Sequence, residues 1–169
     1  MTINYIKGDA TEPIIKDGIR IILHVVNSSG GWGSGFVLAL SKKWKLPEQN
    51  YRNWHKNKVG FTLGNCQFVN IAETKECLFK PPIIVVNMLA QEGYKTKDNT
   101  VPLRYVALEN CLYNVAEKIN DMVSQGSKVT IHAPFFGVGL AGGNWNKIEK
   151  LINKCLPNIT IYIYEWDKK

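Results

Sequence analysis

Residues 133–145 read Ala-Pro-Phe-Phe-Gly-Val-Gly-Leu-Ala-Gly-Gly-Asn-Trp, with four glycines, Gly137, Gly139, Gly142 and Gly143, inside seven positions. Glycine loses more chain entropy on folding than any other residue, so a cluster this dense implies a backbone that turns sharply or approaches a ligand closely. The flanks narrow the choice. Residues 128–132 have strand character, and residues 146–156 have the spacing of a helix. A strand, a glycine loop and a helix N-terminus gather several N–H groups around one point, an arrangement suited to a phosphate-bearing ligand.

A second glycine-rich stretch, Asn27-Ser28-Ser29-Gly30-Gly31-Trp32-Gly33-Ser34-Gly35, has the same setting. It leaves residues 19–26, which are apolar apart from Arg20 and His24, as expected of a central strand covered on both faces. Residues 36–44 follow with helical character, and Pro47 opens another helix through about residue 55. Further strands are expected at 3–7, 65–72, 83–89, 129–132 and 159–164, with Pro81-Pro82 marking a boundary before the run at 83. Residues 91–101 are polar and read as a loop. Apolar residues at Val106, Leu108, Leu112, Val115, Ile119 and Met122 predict a long amphipathic helix over 103–123. Strands alternating with helices argue for an α/β sandwich, in which ligands bind at strand ends. No repeat or linker divides the 169 residues, which fit one domain spanning 1–169.

Composition removes several function classes. A hydrophobic fraction of 45% supports a sizeable core, and 21% charged residues argue against disorder. The net charge of +7 favours anionic partners, but the lysines are spread and form no block of the kind a nucleic-acid groove uses. Cys66, Cys77, Cys111 and Cys155 form no CxxC pair and lie at no zinc-ligand spacing from His24, His55 or His132, so neither metal nor cofactor is expected. Cys111 and Cys155 fall in helical segments and read as core thiols. Residues 1–7 do not resemble a signal peptide, and no apolar run approaches the ~18 residues of a membrane span, so a reduced, cytoplasmic setting is expected. The loops match neither GxGxxG in its usual context nor GxxxxGK[ST], which disfavours an ATPase or a kinase.

Four pieces, in order, carry a resemblance that covers nearly the whole chain: Gly8-Asp9-Ala10 after the first strand, His24-Val25-Val26-Asn27 leading into Gly30–Gly35, Asn87-Met88-Leu89-Ala90-Gln91, and Gly137-Val138-Gly139-Leu140-Ala141-Gly142-Gly143-Asn144-Trp145. With these the chain resembles the macrodomains, the ADP-ribose-binding family, and most of all the subgroup that includes ADP-ribose 1″-phosphate phosphatases. The resemblance implies a three-layer α/β/α fold with a mixed sheet of about six strands. It implies that Asp9, beside Ala10, accepts a hydrogen bond from the adenine amino group. Asn27 would bond the distal ribose, which Trp32 would cover. Gly33, Ser34 and Gly35 would offer amides near the phosphates or that ribose. Gly137, Val138, Gly139, Leu140 and Ala141 would wrap the diphosphate, with Phe136 and Gln91 bordering the cleft. A histidine matches position 24 in the phosphatase-like members, where it could activate water or protonate the leaving hydroxyl.

Each residue also has a plainer reading. Asp9 suits a turn, His24 suits a hydrogen-bonded place in the core, Trp145 suits a packing anchor, and Phe135 and Phe136 suit the core. The relatives that cleave ADP-ribose from glutamate use a lysine and an aspartate where this chain has Gln91 and Ala141. Three functions follow from the resemblance. One is hydrolysis of ADP-ribose 1″-phosphate to ADP-ribose and phosphate, which is favoured. The second is a reader that binds ADP-ribose without chemistry. The third is a hydrolase removing ADP-ribose from a macromolecule, for which the polar loop at 92–100 leaves room and Lys95 or Lys97 could swing in.

Overall fold

The computed structural model describes residues 3–71 and 82–166, so Cys77, Pro81 and the expected end of a strand at Ala72 lie outside the described residues. In chain order the elements are β1 (Ile3–Lys7), β2 (Ile19–Asn27), α1 (Phe36–Lys43), α2 (Leu46–Asn57), β3 (Cys66–Asn70), β4 (Ile83–Gln91), α3 (Tyr105–Ser124), β5 (Val129–Pro134), α4 (Trp145–Cys155) and β6 (Thr160–Glu165). The six strands form one sheet in the order β1-β6-β5-β2-β4-β3, parallel throughout except for β3, which runs antiparallel to β4. The expected mixed sheet of a three-layer α/β/α fold is therefore present.

Alternation along the central strands separates two cores. Ile21 and Leu23 of β2, with Val86 and Met88 of β4, join Leu108, Leu112, Val115, Ile148 and Ile152 of α3 and α4. Ile22 and Val26, with Val85 and Leu89, face Leu40, Tyr51 and Trp54 of α1 and α2. Burying each such aliphatic side chain contributes roughly 1.5–3 kcal/mol, which is what binds the helices to the sheet. The buried stripe of α3 departs from the sequence expectation. Val106 is 73% exposed, and Ala107 and Cys111 take the inward positions. Among the described residues no helix is long and apolar enough to cross a membrane.

This topology collects the loops. β1, β2, β4 and β5 run parallel, so the segments that leave Lys7, Asn27, Gln91 and Pro134 emerge at one edge of the sheet. β2 lies between β5 and β4, which places the two glycine-rich loops on neighbouring strand ends. The register slips by one residue where Val26 pairs with Leu89 but Asn27 pairs with Gln91, and there β2 leaves the sheet.

Candidate functional site

Two cavities open along this edge and share Gly35, Phe36 and Pro134 as a common waist. The larger, about 650 Å³, lies between the glycine loops and is lined by Asn27, Gly33, Ser34 and Gly35 from the first and by Phe136, Gly137, Gly139, Leu140 and Ala141 from the second. His24, Trp32 and Gln91 complete its wall. The second, about 620 Å³, holds Asp9, Ala10, Tyr164 and Trp166. Of the residues expected to surround a ligand, Val138 alone lines neither cavity; its side chain packs against the core of α3 and α4.

The first loop is built by Asn27. Its Oδ1 accepts from the N–H groups of Ser29 at 2.9 Å and Gly31 at 3.1 Å, and its Nδ2 donates to Gly31 O at 2.9 Å. The Tyr51 hydroxyl, fully buried, donates to Asn27 O at 2.6 Å and accepts from Gly30 N–H at 3.1 Å. Asn27 thus shapes the loop, and one of its Nδ2 hydrogens makes no bond among the described residues. Gly35 ends the loop with φ 82° and ψ −149°, a conformation open only to glycine, and a Cβ there would meet nothing within 4 Å. As the N-cap of α1 it supplies no side chain; its carbonyl accepts from Leu38 N–H at 3.1 Å, and the N–H groups of Phe36 and Val37 have no side-chain cap.

The second loop differs from expectation at its far end. Asn144 caps α4, its Oδ1 accepting from Lys147 N–H at 3.3 Å, so of these two helices it is α1 that starts without a side-chain cap. Gly142 and Gly143 serve packing. A Cβ on Gly143 would sit 2.5 Å from Leu103 Cδ2. Trp145 is the anchor its plainer reading suggests, set edge-on against Phe135 at 4.8 Å and Phe136 at 5.7 Å. Phe136 is 4% exposed, at once core and cavity wall.

His24 is placed by register. His24, Asn87 and Gln67 are consecutive partners across β2, β4 and β3, all on the α1/α2 face. Asn87 Nδ2 donates to Gln67 Oε1 at 2.9 Å and to Pro47 O at 3.2 Å, which turns its Oδ1 towards His24 Nε2 at 2.5 Å. An acceptor there requires the proton on Nε2 and leaves Nδ1 as a bare lone pair. Nδ1 is buried and has no hydrogen-bond partner among the described residues. Burial pushes the pKa of His24 down to about 4, against a smaller opposite effect of Asn87. At neutral pH this histidine can accept a hydrogen bond at Nδ1 but has no proton there to give. Trp32 crosses it edge-on at 5.4 Å, is 4% exposed and donates from Nε1 to Ser41 Oγ at 2.8 Å, which makes it a fixed wall. His132, by contrast, uses both nitrogens, towards Thr130 Oγ1 and Tyr164 Oη at 2.8 Å each, and reads as structural.

In the second cavity Asp9 makes the turn of its plainer reading. Its Oδ1 accepts from Thr11 N–H at 2.8 Å and Thr11 Oγ1–H at 2.7 Å, closing a turn, while Oδ2 has no hydrogen bond among the described residues. The sequence reading missed Tyr164, Trp166, Arg52 and Tyr94 as lining residues. Of the two loop lysines considered, Lys95 lines the larger cavity and Lys97 does not. No carboxylate lines the larger cavity among the described residues; its titratable side chains are His24, Arg52, Tyr94 and Lys95.

No family model matches the chain. Among curated proteins it is similar to Chromodomain-helicase-DNA-binding protein 1-like of Mus musculus, 29% identical over 167 residues, and covers 96% of this chain but only 18% of that protein. It is also similar to ADP-ribose 1″-phosphate phosphatase of Candida albicans, 25% identical over 167 residues, covering 96% of this chain and 98% of that protein. Among solved structures it is similar to a protein of unknown function from Bacteroides thetaiotaomicron, 44% identical with a TM-score of 0.82, covering 97% of this chain and 98% of that one. A macrodomain protein from Streptomyces coelicolor is 38% identical with a TM-score of 0.77, over 96% and 98% of the two chains. Thermosipho africanus DarTG, solved in complex with ADP-ribose, shares the fold at 17% identity and a TM-score of 0.63, over 88% of this chain and 39% of that one.

Proposed function

This chain belongs to the macrodomain family, and from that premise we propose that its two joined cavities bind one ADP-ribose and that it hydrolyses ADP-ribose 1″-phosphate to ADP-ribose and phosphate. The observation that carries the binding is the pair of cavities meeting at Gly35, Phe36 and Pro134. In this reading the adenine lies beside Asp9, whose Oδ2 accepts from the exocyclic amine. The diphosphate crosses the waist against the amides of Gly35 and α1 on one side and of Gly137–Ala141 on the other. Neutralisation by fixed N–H dipoles costs no reorganisation when the ligand arrives. The distal ribose then sits near Asn27 and His24.

In the hydrolysis, water oxygen attacks phosphorus and the bond from phosphorus to the anomeric oxygen breaks. The water's second proton ends on the leaving oxygen, which becomes the C1″ hydroxyl. His24 cannot supply that proton at neutral pH. Its Nδ1 is buried, so in this reading His24 acts as part of the wall that positions the distal ribose, and the rate comes from positioning and preorganised amides. The curated relative covered over 98% of its length is named for this activity. A binding-only role is favoured by a different observation, the lack of any carboxylate base in the wall of the larger cavity among the described residues. Phosphate release from ADP-ribose 1″-phosphate separates the two. Turnover by the purified chain, with kcat reduced in His24→Ala by more than binding is weakened, supports hydrolysis. Binding of ADP-ribose with no phosphate released makes the chain a reader.

A further inference from the structure

The end of the larger cavity remote from Asp9 has a charge character that the expected ligand does not use. The first loop runs from Gly35 at the shared waist back to Gly30 and Gly31, and at these last two residues two other segments converge. Arg52 of α2 reaches Gly30, its Nη1 lying 3.4 Å from Gly30 O, and is held in place by Glu48, whose Oε2 is 2.9 Å from its Nε. The Tyr94 hydroxyl packs against Gly31, and Lys95 follows it into the cavity wall. Arg52 and Lys95 therefore both line the larger cavity, Arg52 beside the first loop and Lys95 next in sequence to the tyrosine that packs on it.

The surroundings of Lys95 leave its positive charge unpaired. Among the described residues Lys95 has no ion pair, and Glu92, one of the two acids in its loop, is taken by Arg104 at 3.1 Å. Arg104 also donates to Val101 O at 2.6 Å and Asn99 Oδ1 at 2.9 Å, so the loop carrying Tyr94 and Lys95 is braced in place. Arg52 shares its charge with Glu48, but no carboxylate lines this cavity among the described residues to offset Lys95. ADP-ribose itself ends in neutral hydroxyls here.

The geometry points to Arg52 and Lys95 as a specificity-determining pair that recognises a phosphoryl group on the anomeric oxygen of the distal ribose, making the phosphorylated ligand preferred over ADP-ribose. This inference rests on the ADP-ribose reading of the cleft. A dianion beside two cations at a half-open rim gains charge-assisted hydrogen bonds that a hydroxyl cannot match, and the gain weakens with salt.

The test compares Kd by calorimetry for ADP-ribose and for ADP-ribose carrying a non-hydrolysable phosphonomethyl group at C1″. Wild type should prefer the phosphonate by roughly tenfold or more at low salt, with the ratio shrinking at about 0.5 M salt. Lys95→Gln with Arg52→Gln should bring the ratio towards one, and Lys95→Glu, an exposed change that does not test folding, should bring it below the wild-type value. A ratio near one in wild type, or one unmoved by Lys95→Glu, overturns the inference while leaving the ADP-ribose reading intact. Absence of ADP-ribose binding by wild type overturns both.

Discussion

Tyr51→Phe removes one oxygen from the fully buried ring that supports the first glycine loop. That oxygen donates to Asn27 O at 2.6 Å and accepts from Gly30 N–H at 3.1 Å, and it lies 3.1 Å from Asn27 Oδ1. The ring and its contacts with Trp32 at 5.4 Å and Phe61 at 6.3 Å survive the change. What is lost is the pairing of a backbone carbonyl and a backbone N–H. A buried group left unpaired costs about 1–3 kcal/mol, and since Gly30 and Asn27 are only partly buried, the sum should be about 2 kcal/mol. For a chain of this size that lowers Tm by roughly 4–8 °C. The same loss frees the segment that presents Gly33–Gly35 to the larger cavity, so ADP-ribose affinity should fall with stability. Urea unfolding gives the first effect and calorimetry the second. A variant with the wild-type unfolding midpoint and unchanged ADP-ribose affinity would refute the claim that this network holds the loop.

Other expectations follow from the same structure. His24 and His132 both have pKa values pushed from 6.5 down to about 4, chiefly by burial. Between those values the unfolded chain binds more protons than the folded one, so their contribution to stability is complete above about pH 6.5 and is lost as the pH falls towards 4; urea midpoints against pH should show this slope, and His132→Gln should flatten part of it. Gly143→Ala should destabilise by about 1–3 kcal/mol in urea unfolding, because the added methyl meets Leu103 at 2.5 Å and the Gly137 carbonyl. Asp9→Asn keeps an oxygen for the Thr11 turn but replaces the second acceptor with a donor; ADP-ribose should bind roughly tenfold more weakly with Tm little changed, as calorimetry and thermal unfolding would show.

Much of this architecture is legible in local sequence. Residues 19–26 and 83–89 are apolar enough to be central strands, and the glycine clusters mark the turns beyond their neighbours. The exceptions have physical causes. α3 turns Ala107 and Cys111 inward and leaves Val106 exposed, because the three-to-four spacing of Ala107, Leu108, Cys111, Leu112, Val115 and Ile119 sets the buried face and position 106 lies off it. The four glycines of 137–143 look alike in sequence, yet Gly139 faces open space and Gly143 lies against Leu103. Which glycine serves the cleft and which serves packing depends on a neighbour some forty residues away. His24 shows the same limit: its tautomer is set by Asn87, whose orientation depends on Gln67 and Pro47, and no local pattern encodes that relay. Arg52, Tyr94 and Trp166 enter the cleft from separate segments that only the sheet topology brings together.

The central claim is that one ADP-ribose spans both cavities through the waist at Gly35. Calorimetric titration of the wild-type chain, Asp9→Asn and Gly35→Ala with ADP-ribose and with AMP tests it directly. The account predicts one ADP-ribose per chain, weakened by both substitutions, with AMP weakened by Asp9→Asn and bound less tightly than ADP-ribose. Absence of ADP-ribose binding, or binding that neither substitution alters, would contradict it.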